Sequence, residues 1–312
     1  MDYYPIPDNA ARQFIDSSTV FGEYCRARAA ARQYQGGMYW KKQDSYCYLV
    51  KTRPDNRQRR IGPRCPETEV VYKEFVTRKT ETEARLASLA GSLRESERLN
   101  KALNVGRVPS VVISVLQAIE EAGLAEYFTI VGTHALYAYE SAARIRIVQS
   151  ALATQDVDLL WDARRRVQFM ADIARLSTSV LAILQKADPS FRRREDQLST
   201  AINDKGFEID FLRRVPEGDD PHPLRLTADE GDLRPVQARR ANVLTDARHF
   251  EHIVVSATGR MALMRTIDPT VFVEFKTWLA TGAPDRPAIK RRRDAQQAAI
   301  VQSLLNESLL IP

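Results

Sequence analysis

Cysteine is scarce, with only three in 312 residues. Cys25, Cys47 and Cys65 stand far apart and form no CxxC pair. That excludes a disulfide framework and a thiolate zinc site, and points to free thiols in a reducing compartment. Long apolar runs are also missing: nothing approaches the roughly 18 residues of a membrane span. The opening "MDYYPIPDNA" has neither the basic nor the apolar region of a secretory signal, so a cytoplasmic location is expected. No internal repeat or low-complexity tract occurs. What remains is globular in composition, with 28% charged and 8% aromatic residues. The length suffices for two domains, or for one with sizeable additions.

The net charge of +6 is unevenly spread. Residues 26–64 hold eleven Lys and Arg against Asp44 and Asp55, a local excess of +9. Tyr34, Tyr39, Trp40, Tyr46 and Tyr48 lie among these bases. Cations interleaved with aromatics suit a surface that neutralises phosphates and stacks bases, so 26–64 is a candidate RNA contact. A half-buried β-meander with a basic solvent face fits the same pattern.

Three segments are expected. Residues 1–105 read as an accessory domain: a helix over 8–34, two aromatic-alternating strands ("MYWKK", "YCYLVK"), then an amphipathic helix from about 67 to 104. Its leucines (Leu86, Leu89, Leu93, Leu99, Leu103) are too irregular for a coiled coil. "NVGRVPS" at 104–110 is the break. Over 106–216, helices and strands alternate, with strands at "YFTIV" and "QDVDLLWD", a long helix from "RRRVQF" to "LQKA", and a hairpin around Asp204-Lys205-Gly206. Residues 217–312 hold a loop, a strand pair around Gly259, and helices ended by Gly282 and opened by Pro287.

Chemistry concentrates in three places. In "IVGTHALYAYE", Gly132 lets the backbone approach a ligand, and Thr133 is a candidate helix cap whose neighbouring N–H groups would face a triphosphate. An ordinary N-cap fits equally, and His134 reads as structural. In "TQDVDLLWD", Asp156 and Asp158 share one face of a strand. Parallel carboxylates repel unless a cation such as Mg²⁺ lies between them. Solvent-facing acids at a strand end remain the plain alternative, because D-x-D arises about once by chance in a chain of this length. In "GFEIDFLRR", strict alternation puts Glu208 and Asp210 opposite Phe207, Ile209 and Phe211. Asp210 is therefore a candidate third carboxylate, and Asp162 instead marks the strand's end or caps the Arg-rich helix after it. Three carboxylates on neighbouring strands are what two-metal nucleotidyl transfer requires.

Gly132-Thr133 before a helix, Asp156-x-Asp158 on a strand and Asp210 on a later strand resemble the DNA polymerase β nucleotidyltransferase superfamily. The wording looks closest to bacterial nucleotidyltransferase-fold proteins near the AbiEii-type toxins. The resemblance implies an α+β fold: a mixed sheet flanked by helices, with an N-terminal helix and β-meander extension and a C-terminal helical region. It implies Mg²⁺ or Mn²⁺ on Asp156, Asp158 and Asp210, an NTP substrate, and phosphates cradled by Gly132 and Thr133. In those toxins a later Lys and an Arg-Asp pair complete the nucleotide site. Lys276 and "KRRRD" (290–294) are the counterparts here, with Lys290, Arg293, Asp294 and Gln297 on one helix face. Lys276 also falls inside the apolar stripe of its helix, where it either snorkels or reaches a phosphate. RNA, tRNA in particular, is the implied acceptor, and an antitoxin an implied partner. One Gly stands where the family has a pair, and the gap from Thr133 to Asp156 is long, so an inactive nucleic-acid-binding member also fits. A D-x-D glycosyltransferase is a third reading, in which Asp210 and the Gly-Thr turn have no use.

Overall fold

The structure is a computed structural model that describes residues 2–54, 56–216, 226, 227, 229–284 and 286–311. The chain divides into two compact units, residues 12–102 and residues 1–11 with 103–312. It begins with β1 (Tyr3–Pro5) and α1 (Asp8–Gln33). The smaller unit continues with β2 (Gly37–Gln43), β3 (Tyr46–Thr52), β4 (Gln58–Pro63) and α2 (Pro66–Ala102). The three strands form an antiparallel meander in the order β2-β3-β4. Tyr48, Leu49 and Val50 are consecutive and all buried, so the central strand β3 is covered on both faces. Tyr34 packs on Phe75 and Trp40 on Tyr72, at ring distances of 5.8 and 5.7 Å. The aromatics of the basic segment are therefore divided: Tyr48 is buried, whereas Tyr46 is 71% exposed. Arg60 lies 4.1 Å above the Tyr48 ring and Arg64 5.3 Å from that of Trp40. None of the three cysteines is in a disulfide.

The larger unit continues through α3 (Ser110–Glu121), β5 (Phe128–Val131), α4 (Ala135–Ala143), β6 (Ile145–Ile147), α5 (Gln149–Leu152) and β7 (Asp156–Trp161). Next come α6 (Arg166–Leu176), α7 (Val180–Ala187), β8 (Arg192–Arg193), β9 (Thr200–Ile202) and β10 (Glu208–Arg213). It ends with β11 (Val236–Gln237), α8 (Ala241–Asp246), β12 (His249–Val255), β13 (Met261–Ile267), α9 (Pro269–Thr281) and α10 (Ala288–Asn306). Its main sheet is six-stranded and mixed, in the order β5-β7-β10-β9-β8, with β11 beside the far half of β10. β7 and β10 run parallel, while β5–β7 and β10–β9 are antiparallel. This is an α+β architecture, a mixed sheet flanked by helices. One sheet face carries Val157, Leu159, Trp161, Ile209 and Phe211 into a core closed by Phe128 and Phe169. Period-two alternation leaves the opposite face to the carboxylates.

Several elements depart from the sequence reading. The long helix expected after "QDVDLLWD" is two helices, because Ser177 adopts φ 48° at the end of α6 and Ser179 caps α7. Two short strands, β1 and β6, pair with each other, which places residues 1–11 in the larger unit. Residue 217 opens no separate domain: β11 joins the main sheet, and Thr266 of β13 donates to the carbonyl of Ile130 in β5. The expected loop at 217–235 lies partly outside the described residues. Among those described, no single helix is long and apolar enough to cross a membrane.

The joint between the break at 104–110 and the sheet is a buried charge cluster. Glu140 of α4 accepts from Arg107 Nε (2.9 Å), Arg146 Nη1 (3.3 Å) and the Ile147 amide (2.9 Å). Arg146 also donates to the carbonyl of Val105 (2.7 Å). One carboxylate thus ties the incoming chain, α4 and β6 together.

Candidate active site

Register decides which side chains meet. Across the sheet runs a row Val131–Asp158–Asp210–Thr200, each residue the Cα partner of the next. One pleat away, Asp156 pairs with Glu208. Asp156, Asp158 and Asp210 therefore lie on one face of two adjacent parallel strands. The Thr200 hydroxyl donates to Asp210 Oδ1. Asp158 rests against Gly132, where a Cβ would lie 2.2 Å from Asp158 Oδ2. Gly132 also has φ +69°, so both its backbone and its contact demand glycine.

Crowding and burial raise the proton affinity of Asp158 and of Asp210. Asp158 is pushed up to about 7, first by burial, then by Asp156 and Asp210, with Lys276 and Arg286 opposing. Burial also raises Asp210, with Asp156 and Glu208 adding to it and the Thr200 hydrogen bond opposing. Asp158 is half-buried and lines a cleft.

That cleft has a volume of ≈ 420 Å³. Val131, Gly132 and Asp158 line it together with the apolar Leu244, Phe275, Trp278 and Leu279. Lys276, Arg286 and Lys290 line it as well. Lys276 is 3% exposed and does not snorkel; its Nζ donates to Asp294 Oδ1 at 2.8 Å. Arg286 reaches the other oxygen of Asp294, from Nε at 2.9 Å and Nη2 at 2.7 Å. Burial lowers the Lys276 pKa, while Asp294 and, more weakly, Asp158 hold it up. One fully buried carboxylate thus fixes two of the cations that line the cleft with Asp158.

Other candidates sit elsewhere. Thr133 is buried, caps no helix through its side chain and does not line the cleft. Its hydroxyl accepts from Gln297 Nε2 (3.1 Å), which also donates to the Ala151 carbonyl (2.7 Å). His134 is buried between Tyr137 and Phe207, at ring distances of 5.6 and 6.1 Å. Burial pushes its pKa down to about 4, so it is neutral at ordinary pH. Arg293 donates to the Ala153 carbonyl at 2.8 Å and lines a second cavity, while Lys290 borders both. Asp162 accepts from the amide of Arg164 at 3.1 Å and caps the turn after β7. Arg286 was not marked by the sequence, because it lies between two helices where no periodicity singles it out.

The donor set fits a magnesium-type ion in kind: hard carboxylate oxygens whose mutual repulsion a divalent cation would relieve. Among the described residues, however, no three Asp, Glu, His or Cys side chains close on one point. The two observations agree if substrate phosphates complete the coordination, since Mg²⁺ commonly takes only one or two protein carboxylates.

No curated protein and no solved structure matches the chain. Residues 110–311, more than half of the chain and including all of these site residues, match the family described as nucleotidyltransferase. That match leaves the glycosyltransferase reading without support. The chain belongs to the nucleotidyltransferase family.

Proposed function

We propose that the protein transfers a nucleoside monophosphate from an NTP to an acceptor hydroxyl, with Mg²⁺ or Mn²⁺ shared between the carboxylates of Asp156, Asp158 and Asp210 and the substrate phosphates. The observation that carries this is that Asp158, in register with Asp210 and on the same strand face as Asp156, lines a single cleft with Lys276 and Arg286, both held by the buried Asp294. When bound, the metal would supply charge neutralisation at the phosphates and acidify the acceptor hydroxyl. The acceptor oxygen bonds to the α-phosphorus, and its proton passes to a carboxylate of the row. The bond from the α-phosphorus to the bridging oxygen breaks, and pyrophosphate leaves. Lys276, Arg286 and Lys290 neutralise the leaving group. Gly132 gives the phosphates room beside Asp158. The apolar lining, with Trp278 and Phe275, takes the base, where an aromatic face stacks any nucleobase.

The acceptor in this reading is RNA, tRNA being the form the family resemblance implies, met by the exposed cations of 26–64. A toxin role with a neutralising antitoxin belongs to the same reading. The test incubates the protein with each α-labelled NTP, Mg²⁺ or Mn²⁺, and cellular RNA or protein, beside Asp158→Ala. Label should move only with the wild type; no transfer to any acceptor, nor to the protein itself, would end the proposal. For the toxin role, expression should arrest growth in the wild type and not in Asp158→Ala. The second reading is a non-catalytic RNA binder, favoured by the exposed hairpin cations. It requires RNA binding that survives loss of Asp156 or Asp158.

A further inference from the structure

Beside the nucleotide cleft lies a second, shallower cavity of ≈ 740 Å³, lined by Ser150, Ala153, Ile289, Lys290, Arg292, Arg293 and Gln296. We propose that it holds the phosphodiester backbone of a nucleic-acid acceptor, so that the strand's hydroxyl reaches the neighbouring cleft. The proposal rests on the nucleotidyl-transfer reading for its purpose, though not for its test.

Four observations support it. The described lining contributes three cations and no carboxylate. Lys290 borders both cavities, so the two are neighbours. Lys290 stands in the first turn of α10, which holds no acid and where the helix dipole already presents positive charge, and Arg292 and Arg293 follow in the second. A cation in the first turn disfavours the helix, so helix stability does not explain Lys290. The nearby acid, Asp294, is fully buried and already bonded to Lys276 and Arg286. Arg291 is likewise occupied, donating to the carbonyls of Arg286 and Ala283. By contrast, Arg293 spends only one nitrogen, on the neutral Ala153 carbonyl, and its buried Nε has no partner. Among the described residues no ion pair engages Lys290 or Arg292.

The lining also favours nucleic acid over an acidic protein segment. Protein interfaces are anchored by aromatic or aliphatic side chains seated in pockets. Here the one large apolar side chain, Ile289, is 80% exposed and forms no pocket. Arginines in an open, anchor-free basin suit phosphate oxygens, which they bind bidentately.

The test measures binding of a fluorescent single-stranded RNA dodecamer to the full chain by anisotropy, without NTP, over a salt series. Wild type is compared with Arg292→Gln and Arg292→Glu. The comparison is repeated with Lys41, Lys42, Arg59 and Arg60 changed to Gln, so that the hairpin does not mask the effect. Charge reversal should weaken RNA binding about tenfold and lower the log–log salt slope by about one. Thermal stability should stay level, because Arg292 is exposed, and NTP affinity should not change. Unchanged RNA affinity and slope in both backgrounds would overturn the site. So would a parallel loss of NTP affinity, or poly-glutamate competing as well as RNA of equal charge. A protein that binds RNA this way but transfers no label keeps the site and loses the transferase reading. One that labels a non-nucleic-acid acceptor, with Arg292→Glu at the wild-type rate, loses the site alone.

Discussion

Asp158→Asn should stabilise the protein while abolishing its chemistry. Asparagine keeps the shape that fits against Gly132 and removes the charge that burial, Asp156 and Asp210 oppose. A carboxyl moved from 3.8 to about 7 is shifted by about three units, an upper bound of about 4 kcal/mol at 1.36 kcal/mol per unit. Side-chain relaxation and the coupling among three acids reduce this to about 2 kcal/mol. In a unit of this size that corresponds to a rise in Tm of about 4–8 °C. The folded state holds the Asp158 proton up to a higher pH than the unfolded chain does. Wild-type stability therefore falls as pH rises from about 4 to about 7, and the deficit is complete above 7. The variant's advantage should be full at pH 8, about a third of that at pH 5, and gone near pH 4. Differential scanning fluorimetry with chelator present measures it directly. Adding Mg²⁺ and NTP at about 100 times Kd should reverse the order, contributing about 2.7 kcal/mol to wild type alone. An Asn variant less stable than wild type at pH 8 in chelator, or a gap independent of pH, would refute the reasoning.

The same geometry leads to three further outcomes. Gly132→Ala should lower Tm by only a few degrees, for a left-handed backbone penalty of about 1–2 kcal/mol. It should nonetheless cut nucleotidyl transfer more than tenfold, because the new Cβ displaces Asp158 Oδ2; equal losses in both would contradict the assignment. Glu140→Ala strands Arg107 and Arg146 and should cost about 3–5 kcal/mol in urea denaturation, and a change under about 1 kcal/mol would show the cluster to be dispensable. Trp278→Ala should weaken NTP binding by about 1–3 kcal/mol in calorimetry with little change in Tm; unchanged affinity would place the base elsewhere.

The carboxylate face was legible because its signal is local. Alternation in "GFEIDFLRR" and "TQDVDLLWD" fixes which side chains share a face, whatever the tertiary context. Pairing Asp158 with Asp210 depends on parallel register, which neither segment encodes alone. The C-terminal cations were harder to read. Lys290, Arg293, Asp294 and Gln297 do recur at helical spacing, yet the face is wide enough to serve three surroundings. Asp294 and Gln297 point into the interior, Arg293 into the second cavity, and Lys290 borders both cavities. Arg286 depends on how the α9–α10 connection folds back onto Asp294, a long-range fact with no periodic trace. Thr133 shows the converse: its motif reads as a cap, but a glutamine 164 residues away takes the hydroxyl.

The β1–β6 pairing has a consequence for how this molecule can be dissected. Residues 12–102 leave the larger unit at one point and rejoin it at another, so the smaller unit is an insertion and not a leading domain. Truncation from the N-terminus cannot remove it cleanly, because the same cut strips a strand from β6 and the Tyr3 hydroxyl from Ser303. Excision instead needs a linker from Ala11 to Leu103. The same topology tethers the insertion at both ends, so a nick in either connection leaves the other still holding it to the larger unit.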